Sequence, residues 1–356
     1  TTVTDTYNVG VGYSAGGAIT TGVNNTLLGA IAGDALTDAD HNTAVGRGSL
    51  GADTLGSRAV AVGFGALSSQ NFTTATDNYN VAVGFNAGVL VSTGTNNTFV
   101  GGLAGDATDD GNDNVAIGHQ ALSANAGDDN VAIGKDALLV NIKNQNIAIG
   151  SHALDSDVNG GTSVAIGHNA LQAQAPATAT DMYNVAVGNS AGASVTTGIN
   201  NTLIGGLAGD ALTTGGSNVA LGTNSLASDT LGSRSIAIGQ GALFTQNFTT
   251  ATNNYNVAVG YEAGVSVTTG VGNTLLGGLA GDALTDADNN VAMGESALTS
   301  DTLGSGSTAI GTSALNQQNF TTATTTYNTA VGFTAGTSVT TGIKNTLIGG
   351  QAGDAL

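Results

Sequence analysis

The sequence predicts an all-β fold, a parallel β-solenoid or β-roll of about 20 coils, and three observations lead to it. A short motif centred on a glycine recurs 20 times along the 356 residues. Of the 19 intervals between successive motif glycines, 13 are 17 residues long, as from Gly12 to Gly29. Two intervals are 16 residues long and four are 21 residues long. Fixed positions around each glycine carry the same residue types throughout, which is the signature of a repeat architecture.

The motif itself predicts a short strand. With the glycine as position zero, position −1 is aliphatic in all 20 copies and position −3 is Val, Ile or Thr, as in Val81-Ala82-Val83-Gly84. Position −2 is Ala or Gly in 15 copies. Side chains of a strand alternate between its faces, so −3 and −1 share one face and −2 lies on the other. We expect the aliphatic face inside each coil and the Ala/Gly face against another chain.

Position −4 is Asn in 16 copies. A column of asparagines can form a hydrogen-bonded ladder from coil to coil. The alternative is that Asn only begins each turn, since it tolerates left-handed backbone conformations. Both interpretations give this position a structural role.

Stacking is required because one 17-residue unit cannot bury an apolar face alone. Each coil would add about 4.8 Å along the axis. A helical solenoid is the competing fold, but its repeats run to roughly 33–47 residues. The 56 glycines also disfavour helices.

The coils predict one continuous array over residues 1–356, most of it in equal four-coil blocks such as Gly188 to Gly260 and Gly260 to Gly332. One longer block, residues 84–187, spans 104 residues. Neither end carries an atypical capping repeat, so we expect a segment of a longer polypeptide.

Composition argues against several functional classes. The formal net charge is −19 with six Lys and Arg, which disfavours nucleic-acid binding. The sequence has no apolar run of roughly 18 residues or more, so membrane insertion is not expected. Cysteine is absent and the four histidines do not recur with the serines, so we expect neither an enzyme nor a cofactor.

One weak metal candidate is a calcium loop. Asp155, Asp157 and Asn159 precede Gly160 with the spacing of the first half of such a loop. The twelfth position, which should be Glu, is Ile166. A polar turn between coils is the simpler interpretation.

The 21-residue coils are the candidate contact sites. Each adds a loop that breaks the period, and three of these loops carry a Phe and a Tyr in a chain that is 4% aromatic. Aromatic side chains on such loops either contact a partner, a neighbouring fibre or a surface glycan, or fold back to plug the edge of the roll. The candidate residues are Phe72, Tyr79, Phe248, Tyr255, Phe320 and Tyr327.

The motif resembles known repeats. Asn114–Gly118 and Asn130–Gly134 are similar to head repeats of YadA-like trimeric autotransporter adhesins. Asn200–Leu212 and Asp229–Arg234 resemble repeats in tail-fibre proteins of marine bacteriophages of the cyanophage type. The resemblance implies a left-handed parallel β-roll assembled as a homotrimeric rod.

The resemblance also implies a function. The first expectation is a structural fibre shaft of a phage tail, located in the virion, which presents or forms a host-attachment device. Its partners would be its own copies, other fibre or virion proteins, and a host-surface glycan or protein. The alternative is a bacterial surface adhesin or extracellular filament. A third class, an ice-binding solenoid, would need regular threonine ranks, and here pairs such as Thr196-Thr197 recur only once per block.

Overall fold

The computed structural model describes residues 5–355, and all regular structure in them is β. The predicted all-β parallel solenoid of about 20 coils is confirmed. Contacts divide the chain into two compact units, Thr1–Asp181 and Met182–Leu356. The predicted array also included residues 1–4 and 356, which lie outside the described residues.

In the first unit, ten strands of three residues each belong to successive coils. They are Val9–Val11, Thr26–Leu28, Thr43–Val45, Val60–Val62, Val81–Val83, Thr98–Val100, Val115–Ile117, Val131–Ile133, Ile147–Ile149 and Val164–Ile166. The long coils add two short parallel pairs, Gly56–Ser57 with Thr76–Asp77 and Gly160–Gly161 with Thr180–Asp181.

The second unit has the same organisation. Its ten coil strands are Val185–Val187, Thr202–Ile204, Val219–Leu221, Ile236–Ile238, Val257–Val259, Thr274–Leu276, Val291–Met293, Thr308–Ile310, Thr329–Val331 and Thr346–Ile348. Its short pairs are Gly232–Ser233 with Thr252–Asn253 and Gly304–Ser305 with Thr324–Thr325.

Within each unit, every strand pairs in parallel with the strand of the next coil. The register joins equivalent positions, so that Val81, Ala82 and Val83 pair with Thr98, Phe99 and Val100. Residues at one position therefore form straight columns along each unit.

The faces of the coil strands are the reverse of the prediction. Ala82 and Ala116 at position −2 are fully buried inside the coil. Val83 and Ile117 at position −1 are 36% and 39% exposed. The expectation that the −1 side chains fill the coil is therefore wrong, as is the expectation of an external Ala/Gly face. The reason is steric, because position −2 shares a narrow interior with position +4, so that Ala at −2 leaves room for a buried side chain such as Leu122.

Side-chain volumes inside the coil are complementary. Where position −2 is the large Phe99, position +4 of the same and the preceding coil is glycine, at Gly105 and Gly88. A Cβ on Gly88 would lie 2.9 Å from Phe99 Cδ2, and one on Gly105 would lie 2.6 Å from the ring. Where −2 is Ala, as at Ala116, position +4 can be a buried leucine, Leu122. The Gly–Leu alternation thus follows from space inside the coil.

The asparagines at position −4 do form ladders, with a bonding pattern that was not apparent from the sequence. The amide oxygen of Asn97 accepts the backbone N–H of Asn114 at 3.0 Å, and its Nδ2 donates to the Gly111 carbonyl at 2.8 Å. Asn201 and Asn218 repeat this arrangement in the second unit. These asparagines are buried, so each pairs backbone groups that would otherwise be unsatisfied.

The motif glycine is required by close contact between coils. Gly84 has φ +149°, and a Cβ there would lie 2.2 Å from the carbonyl oxygen of Gly101. Neither the backbone conformation nor the space accepts a side chain. The glycine column therefore sets how tightly the coils stack.

Candidate functional site

The phenylalanines of the long coils lie inside the coil. Phe72, Phe248 and Phe320 are only 6%, 5% and 7% exposed. A Cβ on Gly56 would lie 2.7 Å from Phe72 Cδ2, so the ring packs directly on the neighbouring coil. The expectation that these three rings contact a partner is corrected, because they plug the space opened by the loop extension.

The tyrosines of the same coils are exposed. Tyr79, Tyr255 and Tyr327 are 50%, 56% and 63% exposed. Each lies at position −5 of its coil with the rest of the long loop before it. Their role as contact residues therefore stays a prediction.

Two of these tyrosines pair with arginines of the preceding coil. The Arg58 guanidinium lies 5.6 Å from the Tyr79 ring centre and donates to its hydroxyl at 3.2 Å, and Arg58 Nε also pairs with Asp77 at 3.0 Å. Arg234 lies 5.6 Å from the Tyr255 ring and donates to its hydroxyl at 2.7 Å. Sequence reasoning missed these pairs, although the separation of Arg and Tyr by one long coil recurs.

Beneath each long loop is a buried Asp–Gln pair, which the sequence analysis also missed. Asp53 Oδ2 accepts Gln70 Nε2 at 2.6 Å, while Oδ1 accepts the N–H groups of Gly56 and Phe72. Gln70 Oε1 in turn accepts Asn80 Nδ2 at 2.9 Å. This network joins the long loop to the Asn ladder. The equivalent pairs are Asp157–Gln174, Asp229–Gln246 and Asp301–Gln318.

Burial raises the pKa of these carboxyl groups. Desolvation raises the pKa of Asp53, and the hydrogen bonds from Gln70, Phe72 and Gly56 oppose it. Desolvation likewise raises the pKa of Asp157 and of Asp229. In the sequence, these buried pairs correspond to an Asp at position +7 of one coil and a Gln at position +7 of the next coil.

The three calcium candidates each bond to a different part of the chain. Asp157 is buried and bonds to Gln174 and the Gly160 N–H, whereas Asp155 is partly exposed and lies 3.1 Å from His152 Nδ1. Asn159 donates to the Pro176 carbonyl. Within residues 5–355, no group of three or more His, Cys, Asp or Glu side chains is placed to hold a metal ion. The structure thus gives each residue a different structural partner.

The outer face of the coil strands is uncharged. Position −1 is aliphatic and position −3 is Val, Ile or Thr in all 20 coils, in a chain of net charge −19. Side chains on this face range from half-buried to exposed, with Leu221 at 43% and Met293 at 37%. A repeated row of exposed aliphatic side chains marks a candidate interaction site, because soluble monomers rarely expose contiguous apolar surface.

Comparisons with known proteins add no family. No known family model matches this chain. A search of curated proteins likewise gives no significant match. Among the described residues, there is no helix with the length and apolar character needed to cross a membrane.

Proposed function

We propose that the chain is a structural fibre shaft built from parallel copies of itself, associated through the outer face of the coil strands. The observation that carries the proposal is the uncharged outer face in each unit, with an aliphatic side chain at position −1 and Val, Ile or Thr at position −3 of every coil. Burying a branched side chain stabilises association by about 1.5–3 kcal/mol at full burial. Repeated over ten coils of a unit, this face supplies a long and specific surface for self-association.

The resemblance to phage tail-fibre repeats supports a more specific role. The shaft would belong to a phage tail or a tail-associated fibre, as a left-handed homotrimeric rod that presents or forms a host-attachment device. Tyr79, Tyr255 and Tyr327 are the exposed candidates for contact with other fibre proteins or a host-surface glycan. The chain would be located in the virion.

A bacterial adhesin of the trimeric autotransporter type is the second candidate. It is favoured by the closely spaced coils at Gly118, Gly134 and Gly150, whose shorter step is similar to adhesin head repeats, and by the Asn-Val-Ala-Ile-Gly motif of the first two. Antibodies raised against this chain distinguish the two by immunogold electron microscopy. Labelled virion tails support the first role, and labelled cell surfaces with unlabelled virions support the second.

Self-association is tested with substitutions on opposite faces of the same strands. Glu in place of Ile117, Ile133 and Ile149 puts charges on the outer face, where a single chain hydrates them but an assembly must bury them. We expect the circular-dichroism spectrum to be retained and the mass in light scattering to fall to that of one chain.

Two further variants serve as controls. Glu in place of Ala116, Ala132 and Ala148, which are fully buried, should unfold these coils rather than merely dissociate them. Glu in place of the exposed Thr73, Ala75 and Thr93 adds the same charge elsewhere and should change neither fold nor mass. An unchanged mass in the isoleucine variant would overturn the proposed association face.

A further inference from the structure

Two columns of exposed side chains flank the apolar face of each unit. Position −5 precedes the buried asparagine, and position +1 follows the motif glycine; we call these columns the −5 rim and the +1 rim. In the coil of Gly84, Tyr79 and Phe85 are exposed while Asn80 and Ala82 between them are buried. The two rims of one coil thus lie on the outer side of the strand, one at each end.

Nothing within the chain requires a glycine at several positions of the +1 rim. A Cβ on Gly206 would meet nothing within 4 Å, and its φ is not in the left-handed region. On Gly102 and Gly278 it would make only ordinary contacts, at 3.9 and 4.0 Å. In the same coils the −5 rim carries the small residues Asn200, Asn96 and Gly272. Recurrent glycine at open positions indicates close approach by something outside the chain.

Aromatic residues occur on both rims of the same coil. Tyr79 shares its coil with Phe85, and Tyr255 shares its coil with Tyr261. Tyr327 and Phe333 repeat the pattern, at 63% and 60% exposure. In these three coils a large side chain on one rim is accompanied by a large one on the other, whereas in the coil of Gly188 Tyr183 is accompanied by Asn189.

One coil carries opposite charges on its two rims. Asp129 on the −5 rim shares the coil of Gly134 with Lys135 on the +1 rim. Both side chains are exposed, and Lys135 Nζ also lies 3.1 Å from Asp136 of its own chain. In the coil of Gly118, Asp113 shares its coil with His119, an exposed side chain that can form a hydrogen bond.

We infer that the partner of these rims is a second copy of this chain, parallel and in register, with the −5 rim of one copy against the +1 rim of the next. Rotation about an axis parallel to the strand stack brings these two different rims together at the same coil. Small residues then meet small ones, aromatics meet aromatics, and Asp129 meets Lys135. This inference rests on the proposed self-association of parallel copies and adds which rims meet and in which register.

A shift of one coil reduces the complementarity. In one direction Arg58 would face Arg47 of the neighbouring copy, and like charges repel, although Tyr79 would still face an aromatic ring, Phe64. In the other direction Tyr79 would face Gly102, and Asp129 would face Ser151. The unshifted pairing is the one without a mismatch at these three coils.

The test uses engineered cysteines in a chain that has none of its own. Light scattering first establishes whether the full chain associates, because a monomer would refute the proposed function itself. The double variant Asp129→Cys/Lys135→Cys is then oxidised and run on a non-reducing denaturing gel. A disulfide needs Cα atoms within about 7 Å, so covalent multimers report direct contact of the two rims. We expect multimers in at least ten-fold excess over either single variant.

Two further double variants and one single variant test the register and the direction of packing between copies. Asp129→Cys/His119→Cys and Asp129→Cys/Ser151→Cys place the second cysteine one coil to either side and should not cross-link. A cross-linked Asp129→Cys single variant would show that equal rims meet, as in antiparallel packing. Cross-linking in either shifted pair, or none in the in-register pair of an associated chain, would overturn the inference.

Charge exchange gives a second measurement that needs no oxidation. Lys135→Asp places its new carboxylate opposite Asp129, where the −5 rim of one copy meets the +1 rim of the next, and should weaken association at low salt. Adding Asp129→Lys restores an opposite pair and should recover it. Failure of the second substitution to rescue the first would also contradict the rim pairing.

Discussion

Truncating Phe72 to Ala should open one coil locally while the rest of its unit stays folded. The ring is 6% exposed and packs on Gly56, whereas the backbone bonds of this residue run to Asp53 and Thr54 and do not need the side chain. Replacing a buried Phe by Ala typically costs about 3–5 kcal/mol, because the surroundings only partly fill the cavity. Repeats contact only their neighbours, so the loss should stay near the long coil.

The assay is native-state hydrogen exchange followed by mass spectrometry. At about 1.4 kcal/mol per tenfold, the expected loss raises the opening equilibrium of residues 70–84 roughly 100- to 4,000-fold. Residues 131–150, several coils away, provide the internal reference and should keep their protection. The matched control is Thr73→Ala, which removes an exposed neighbouring side chain. Unchanged exchange in Phe72→Ala would refute the core role of the ring and restore the surface role expected from sequence.

Two further predictions concern the glycine column and the buried carboxyl groups. Gly84→Ala should lower the free energy of unfolding by at least about 3 kcal/mol, because the added methyl group would lie 2.2 Å from the Gly101 carbonyl oxygen. The control Gly206→Ala should fold normally, because a Cβ there would meet nothing within 4 Å. Thermal unfolding of the two variants measures the difference. Burial raises the pKa of Asp53, Asp157 and Asp229 above the ordinary value of 3.8, so these groups stabilise the fold fully below pH 3.8 and lose that contribution as pH rises through the raised pKa. Denaturant unfolding should therefore show stability rising as pH falls from 7 towards 4, and Asp→Asn substitution at the three positions should flatten that rise; an equal slope in the variant would contradict it.

The architecture follows from the amino-acid sequence because periodicity is a property of the chain. The glycine spacing predicted the number of coils, and the alternation around Val81-Ala82-Val83 predicted that −2 lies opposite −3 and −1. The repeated Asn predicted either a ladder or the start of a turn, and the structure contains the ladder. These inferences need only the geometry of an extended strand and the stacking of equal units.

Packing between coils settles which strand face points inward and where the loop aromatics lie. Alternation separates two faces but does not say which one is enclosed, and the answer depends on the space inside a closed coil. Ala82 is enclosed while Val83 is exposed, although hydrophobicity alone would place valine inside. Phe72 and Tyr79 both belong to one loop, yet one ring fills the gap left by the extension and the other remains in solvent. Such assignments depend on volumes contributed by neighbouring coils, which a linear sequence does not contain.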